Sequence, residues 1–420
     1  MVAHFHKNRR DFINQVNQFV HPSEEVSDPN QLKGRDPALT QLRDAFETNG
    51  MNAFIWGMRG VGKTSLVHTA CTKYSDQVRL AAAVSCHKNS TANELLNDIF
   101  RRVVHDGKVS LKSGDVKAKL AAYGFSIEAG KQSIKDELNI KSVNQASDFL
   151  NTILPTDHEN MREWIIIIDE FDLLENRDTI DFFTALAKQI SVDKVSVKFV
   201  FCGVASNLND LIGSHESVER YLKAVELRPL LPAHIIEIAT FIATNFGVSL
   251  NRGQMFRISQ ISCGYPHFAH LIMREILVLN FDSVKSETIS SALFKTAIQN
   301  AARGAATRLH VAYEAATKKG TDRYIEVLWS AADGQLLEKQ FKEIAKDYHR
   351  IVASRSNRPS LDVEKLLRNH LNGLTEKAHG SVLKRGRIGW YSFADPMFRS
   401  YVRMVAHVEG VDLGDESFHN

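Results

Sequence analysis

No apolar run in this chain approaches the ~20 residues a helix needs to cross a bilayer; the longest compact one, residues 164–168, has the size of a strand. Residues 1–10 are polar and basic with no apolar stretch behind them, so neither a secretory leader nor a membrane partner is expected. Cysteine is scarce. Cys71, Cys86, Cys202 and Cys263 lie far apart without metal-ligand or disulfide spacing, and are expected as reduced, buried small residues of a cytoplasmic chain. An excess of either charge is missing too: 52 Lys and Arg against 49 Asp and Glu leave +3, which selects no partner. The histidines are scattered, and His4 with His6 lacks the further ligands of a metal site. There is no internal repeat or low-complexity tract. What is present is ordinary for a globular protein, and 420 residues can bury a large core over two or three domains.

The patterning divides the chain. Residues 1–30 read as an irregular lead-in. From 31 to 231 strands and helices alternate. A helix carries Leu39, Leu42 and Phe46, and a short strand covers 53–56. A helix follows from Lys63 to about 74, then a strand over 78–86 and a helix over 91–104. The signal weakens in an insertion at about 108–163. A strand over 164–168, a helix over 179–190, a strand over 195–201 and a short one over 224–227 follow. Such alternation predicts an α/β domain with a parallel sheet covered on both faces. Residues 232–315 read as helices only, 320–408 as helices with one hairpin, and 409–420 as a tail.

Gly57–Met58–Arg59–Gly60–Val61–Gly62–Lys63–Thr64 fits the G-x-x-x-x-G-K-[ST] pattern, between a strand and a helix as its mechanism requires. Glycines let successive N–H groups of Arg59, Gly60, Val61, Gly62 and the following Lys63, Thr64 and Ser65 point at phosphate oxygens, and the helix dipole adds to the same field. Lys63 would reach the β- and γ-phosphates, and the Thr64 hydroxyl would bind Mg²⁺. The ligand is therefore expected to be ATP with Mg²⁺. Residues 164–168, a tryptophan and four isoleucines, end in Asp169 and Glu170. Ligands gather where buried parallel strands end in this way. Asp169 would hold the metal and Glu170 would orient and deprotonate the attacking water.

Together these residues resemble the AAA+ and STAND class of P-loop ATPases, in particular its initiator-like (origin-recognition type) branch, over roughly residues 32–408. The resemblance implies an ATPase domain at 31–231, a helical lid at 232–315 and a winged-helix domain at 320–408. It implies that Leu32–Lys33–Gly34–Arg35–Asp36 lines the adenine pocket, with Arg35 as the contact. Asn207, beyond the fourth strand, resembles a sensor that positions water, with Ser206 second; a helix-capping asparagine is the alternative. Arg220 fits the arginine that reaches a neighbouring subunit's phosphate, or it is a surface charge. Gly264–Tyr265–Pro266–His267 resembles the lid turn of STAND members, whereas the initiator branch has an arginine at the position of His267. His267 is thus a phosphate contact or a structural lid residue.

In the C-terminal part, helices over 324–332, 339–348 and 362–375 and a hairpin around Arg385–Gly386–Arg387 resemble a winged helix. Arg350, Arg355, Arg358, Lys365, Arg368, Lys377, Lys384, Arg385 and Arg387 face only Asp362, Glu364 and Glu376, a local balance of +6. Lys365, Arg368, Asn369 and Asn372 would meet a double-stranded DNA groove, and Lys384, Arg385 and Arg387 its backbone. Two readings stay open: an ATP-driven switch that oligomerises in DNA transactions or antiviral defence, and a STAND-type signalling ATPase whose output is a protein partner. A small-molecule kinase is disfavoured by the Asp–Glu pair.

Overall fold

The computed structural model describes residues 8–107, 123, 139–154, 156, 162–204, 220–317, 323–355 and 366–414. They divide into two compact units, Glu25–Arg228 and Met1–Glu24 with Pro229–Asn420. Where an irregular lead-in was expected, the second unit begins with a helix, α1 (Arg9–Phe19), capped by Asn8. Phe12, Ile13, Val16 and Phe19 stand at helical spacing, and Phe12 and Val16, one turn apart, are fully buried. Phe12 stacks on Phe281 at 4.1 Å and meets Phe246 edge-on. Burying that apolar stripe against a tertiary partner is what holds so short a helix.

The unit Glu25–Arg228 holds α2 (Asp36–Glu47), β1 (Asn52–Gly57), α3 (Lys63–Lys73), β2 (Val78–Ser85), α4 (Ala92–His105), α5 (Val143–Ile153), β3 (Glu163–Asp169), α6 (Arg177–Val192), β4 (Val197–Gly203) and β5 (Leu222–Leu227). The sheet order is β2-β3-β4-β1-β5, all parallel. This is the α/β P-loop fold that the alternation led us to expect. The four isoleucines of β3 are fully buried, as a strand covered on both faces requires. At the lower edge of the sheet Lys198, 2% exposed, donates to the carbonyls of Ala45, Phe46 and Thr48 and pairs with Glu163 at 2.8 Å. Its ammonium caps the C-terminus of α2, where the orphan carbonyls gather. The insertion at about 108–163 lies largely outside the described residues.

The other unit continues with α7 (Pro232–Asn245), α8 (Arg252–Ser262), α9 (Pro266–Asp282), α10 (Ser291–Gly304), α11 (Thr307–Thr317), α12 (Arg323–Ala332), β6 (Glu338–Gln340), α13 (Phe341–Ser354), α14 (Arg368–Gly373), β7 (Leu383–Arg385), β8 (Trp390–Phe393) and α15 (Pro396–Val408). The hairpin is part of a three-stranded antiparallel sheet, β6-β8-β7. Lys339 and Gln340, expected to open a helix over 339–348, pair instead with β8 as part of a strand, and the Gln340–Glu343 capping box starts α13 two residues later at Phe341.

Candidate nucleotide site

β1 and β3 are separated in the sheet by β4, so their backbones lie two strand spacings, about 10 Å, apart. The loop after β1 and the acids after β3 meet across the end of β4. Two glycines make the loop's course. Gly57 has φ +154°, and a Cβ there would stand 2.2 Å from the carbonyl oxygen of Leu227. Gly62 caps α3 in the left-handed region at φ +92°. Val61 is fully buried and anchors the loop, while Met58 and Arg59 are exposed.

Lys63 donates to the carbonyls of Gly57 at 3.1 Å and Met58 at 3.2 Å. Burial lowers its pKa, opposed by Cys202, Asp169 and Asp172, while Arg59 adds to the lowering. The Thr64 hydroxyl donates to a carboxylate oxygen of Asp169, whose other oxygen accepts the Glu170 N–H at 2.7 Å. Glu170 is exposed and sits at φ +54°, a turn that takes its side chain off the line of the strand. Asp172 accepts the Val204 N–H at 2.7 Å and ties the end of β4 to the acidic turn. Its distance in sequence from Val204 leaves no local signal for that role.

Arg35 is 8% exposed and spans two carbonyls, donating to Val61 at 2.6 Å and Arg228 at 2.8 Å. It braces the phosphate loop against the end of β5. Burial brings its pKa down to about 10. Ser65 accepts the Val26 N–H at 3.2 Å, Thr69 donates to the Val26 carbonyl at 3.0 Å, and His68 pairs with Glu25 at 3.0 Å. That ion pair, with the hydrogen bond to His68 as its largest part, holds the Glu25 carboxyl low. The chain entering this unit is thus strapped along the first two turns of α3.

The donor set fits ATP with magnesium. Thr64 and Asp169 present two hard oxygens in contact, beside a lysine and a run of backbone N–H groups. Among the described residues no group of three or more His, Cys, Asp or Glu side chains gathers to hold a metal. A divalent cation here would therefore draw its remaining ligands from phosphate and water, as Mg²⁺ characteristically does.

Residues 31–200 match the model of the AAA ATPase domain family. Among solved structures, the Walker-type ATPase PABY2304 of Pyrococcus abyssi is similar at 16% identity and a TM-score of 0.53, over 91% of this chain and 99% of that one. Cdc6p of Pyrobaculum aerophilum (14%, TM-score 0.43, 89% and 93% covered) and the ORC1 protein of Aeropyrum pernix, solved in complex with DNA (14%, 0.42, 90% and 93%), are further neighbours. The first likeness is one of fold.

The remaining residues of interest fall elsewhere. Asn207, Ser206 and Lys365 lie outside the described residues. Arg220 is exposed just before β5, whose first residue, Leu222, pairs with Asn52 at the start of β1. It therefore lies at the sheet edge opposite the phosphate loop, about 20 Å away along the strand, and cannot serve the site of its own chain. His267, in the other unit, contacts the Pro22 carbonyl through Nδ1; burial lowers its pKa against that hydrogen bond. Arg368 stacks on Phe341 at 4.1 Å. Arg387 lies over Trp390 at 4.8 Å and 3.9 Å from Glu338. Lys384 and Arg385 are exposed on β7. Asn372 is turned inward and accepts the Tyr391 hydroxyl at 2.9 Å. Arg350 pairs with Asp333, and Arg355 reaches Glu326 and Glu409, so part of the basic excess is neutralised internally. Cys71, Cys86 and Cys202 are buried as expected, but Cys263 is only half-buried, because the left-handed turn at Cys263–Gly264 leaves it beside a cavity. No helix among the described residues is long and apolar enough to cross a membrane.

Proposed function

We propose that this chain is an ATP-dependent molecular switch that binds ATP with Mg²⁺ at the phosphate loop and hydrolyses it with Glu170 as the base. The observation that carries the reading is the contact between Thr64 and Asp169 across the end of β4. It brings a strand–loop–helix that binds phosphate to the acids that handle metal and water. Backbone N–H groups of the loop and of the first turn of α3 receive phosphate oxygens. Lys63 exchanges two neutral carbonyls for charged phosphate acceptors, a stronger bond for the same ammonium. Thr64 and Asp169 would hold the metal. Bound Mg²⁺ supplies charge neutralisation on the transferring phosphoryl group. Glu170 takes the proton of the attacking water, whose oxygen bonds to the γ-phosphorus as the bond to the leaving ADP oxygen breaks. Asn207 positions that water. Arg220, remote from its own site, acts on a neighbouring copy, which makes hydrolysis depend on oligomerisation. Arg35 sets the loop and lies by the adenine, and His267 is a lid residue.

For the output, we read α12, α13, α14 and the sheet β6-β8-β7 as a winged helix whose exposed Lys384 and Arg385, with Arg387, follow a DNA backbone while Arg368 and Lys365 serve its groove. The internal pairing of Arg350 and Arg355 and the inward turn of Asn372 support the second reading, a STAND-type signalling ATPase with a protein output.

The decisive variant is Glu170→Gln. It should bind ATP as the parent does and lose about 100-fold or more in turnover. Parental turnover would remove Glu170 as the base.

A further inference from the structure

The unit that contains Pro229–Asn420 holds a cavity of about 240 Å³ that opens to solvent beside the exposed Leu231 and Leu337. Three stretches of that unit line it: the segment around Leu230, the end of α8 with the Cys263–Gly264 turn, and the C-terminal elements at Gly334 and on α15. The wall is tight, since a Cβ on Gly264 would stand 2.5 Å from the Leu230 carbonyl oxygen.

Its polar lining is one-sided. Arg399 and Arg403 are 2% and 4% exposed. Their guanidinium groups donate to the backbone carbonyls of Ala332, Asp333, Gln335 and Gln260. Among the described residues neither donates to a carboxylate. The acid whose charge acts on Arg399, Asp333, is taken up by Arg350 and by the N–H groups of Gly334 and Gly414. Two like charges are thus buried with neutral acceptors only, a costly arrangement. Burial, and next the Arg403 charge, bring the Arg399 pKa down to about 10. Gln260 also lines the cavity; it is 4% exposed, and among the described residues its buried side-chain nitrogen finds no acceptor. No lining residue is acidic. Leu230 and Leu337 supply apolar wall, and the space equals about eight waters.

We infer that this cavity is a second ligand site, which takes a small organic oxyanion, a carboxylate or a phosphate monoester with a short apolar body. The anion adds counter-charge beside Arg399 and Arg403, for which Asp333, already paired with Arg350, is shared, and it offers an acceptor to Gln260. Because its walls come from both the Gly264 turn and the C-terminal elements, a bound anion fastens the two together. The inference stands apart from the nucleotide reading.

Cys263 lines the cavity and is half-buried, whereas Cys71, Cys86 and Cys202 are buried, so its alkylation reports on occupancy. The experiment is the N-ethylmaleimide labelling rate at Cys263, read by mass spectrometry on the full chain carrying Lys63→Ala, which removes phosphate capture at the loop. The probes are succinate and glycerol 3-phosphate; succinamide and chloride at equal ionic strength are controls. At least one oxyanion should slow labelling saturably, about fivefold or more, and the controls should not. Gln260→Leu, which loses one hydrogen bond, should raise the concentration needed by about tenfold. Leu337→Glu, which puts a carboxylate in the wall, should abolish the effect. Which probe protects separates a carboxylate from a phosphate ligand. Unchanged labelling with both up to about 20 mM, or equal protection in both cavity variants, would overturn the site.

Discussion

Arg35→Met tests whether the guanidinium between Val61 and Arg228 is what holds the phosphate loop in shape. The side chain is 8% exposed, and its two hydrogen bonds of 2.6 and 2.8 Å come from a charged donor. Bonds of that kind contribute about 1.5–3 kcal/mol each, so about 3–6 together. Against this stands the cost of burying the charge. A pKa brought from 12.5 to about 10 corresponds to roughly 3 kcal/mol. Methionine recovers that cost and keeps most of the apolar stem. It leaves the Val61 carbonyl without its donor beside a fully buried side chain, while exposed Arg228 can rehydrate. The balance is a destabilisation of about 2 kcal/mol, or about 4–8 °C in Tm for a unit of this size. Calorimetry reads it, and ATP titration should show weaker affinity, because a displaced Val61 misaims the N–H groups beside it. A variant with parental Tm and parental affinity would refute the brace.

Other outcomes follow from the same geometry. His270 is buried with a pKa drawn down to about 3 by desolvation, with His21 and His267 adding to it. The unfolded chain therefore binds the extra proton between about pH 6.5 and 3, and stability from this group is whole above 6.5 and lost as pH falls. At pH 5 the loss is about 2 kcal/mol; denaturant melts should be flatter with pH in His270→Gln, and an equal slope would remove the assignment. Asp172→Asn keeps an acceptor for Val204 and should leave stability near parental, whereas Asp172→Ala frees that N–H at the end of β4 and should cost about 1 kcal/mol, read by urea melts. Arg385→Ala with Arg387→Ala should lower DNA affinity and reduce the salt slope by about two; a slope unchanged from the parent, or no DNA binding by the parent, favours the protein-output reading. Mixing Glu170→Gln with Arg220→Ala chains should restore no turnover beyond dilution if Arg220 is only a surface charge, and a dependence of turnover on their ratio if it acts between copies.

The nucleotide core was legible because its chemistry is local in sequence. The phosphate loop is eight consecutive residues, and β3 is four isoleucines followed directly by Asp169 and Glu170. What was hidden depends on contacts distant along the chain. Helix α1 did carry a signal, since Phe12, Ile13, Val16, Phe19 and Val20 stand at helical spacing, but it is short and polar between them, and Phe12 packs against Phe246 and Phe281 far along the chain. Asp172 gains its role from Val204, and Arg35 from Val61 and Arg228. Lys339 and Gln340 of strand β6 read as helix because a three-residue strand has no period of its own; its partner β8 decides it. The basic excess near the C-terminus was readable as a count, but not that Arg350 and Arg355 turn toward acids.

The most direct measurement is equilibrium binding of Mg–ATP to the parent chain and to Lys63→Ala, with hydrolysis followed in the same samples. Saturable binding and slow release of phosphate by the parent, both lost in Lys63→Ala while its Tm stays within a few degrees, is the expected result. Undiminished ATP affinity in Lys63→Ala, or a folded parent that binds no ATP, would contradict the assignment of the phosphate loop.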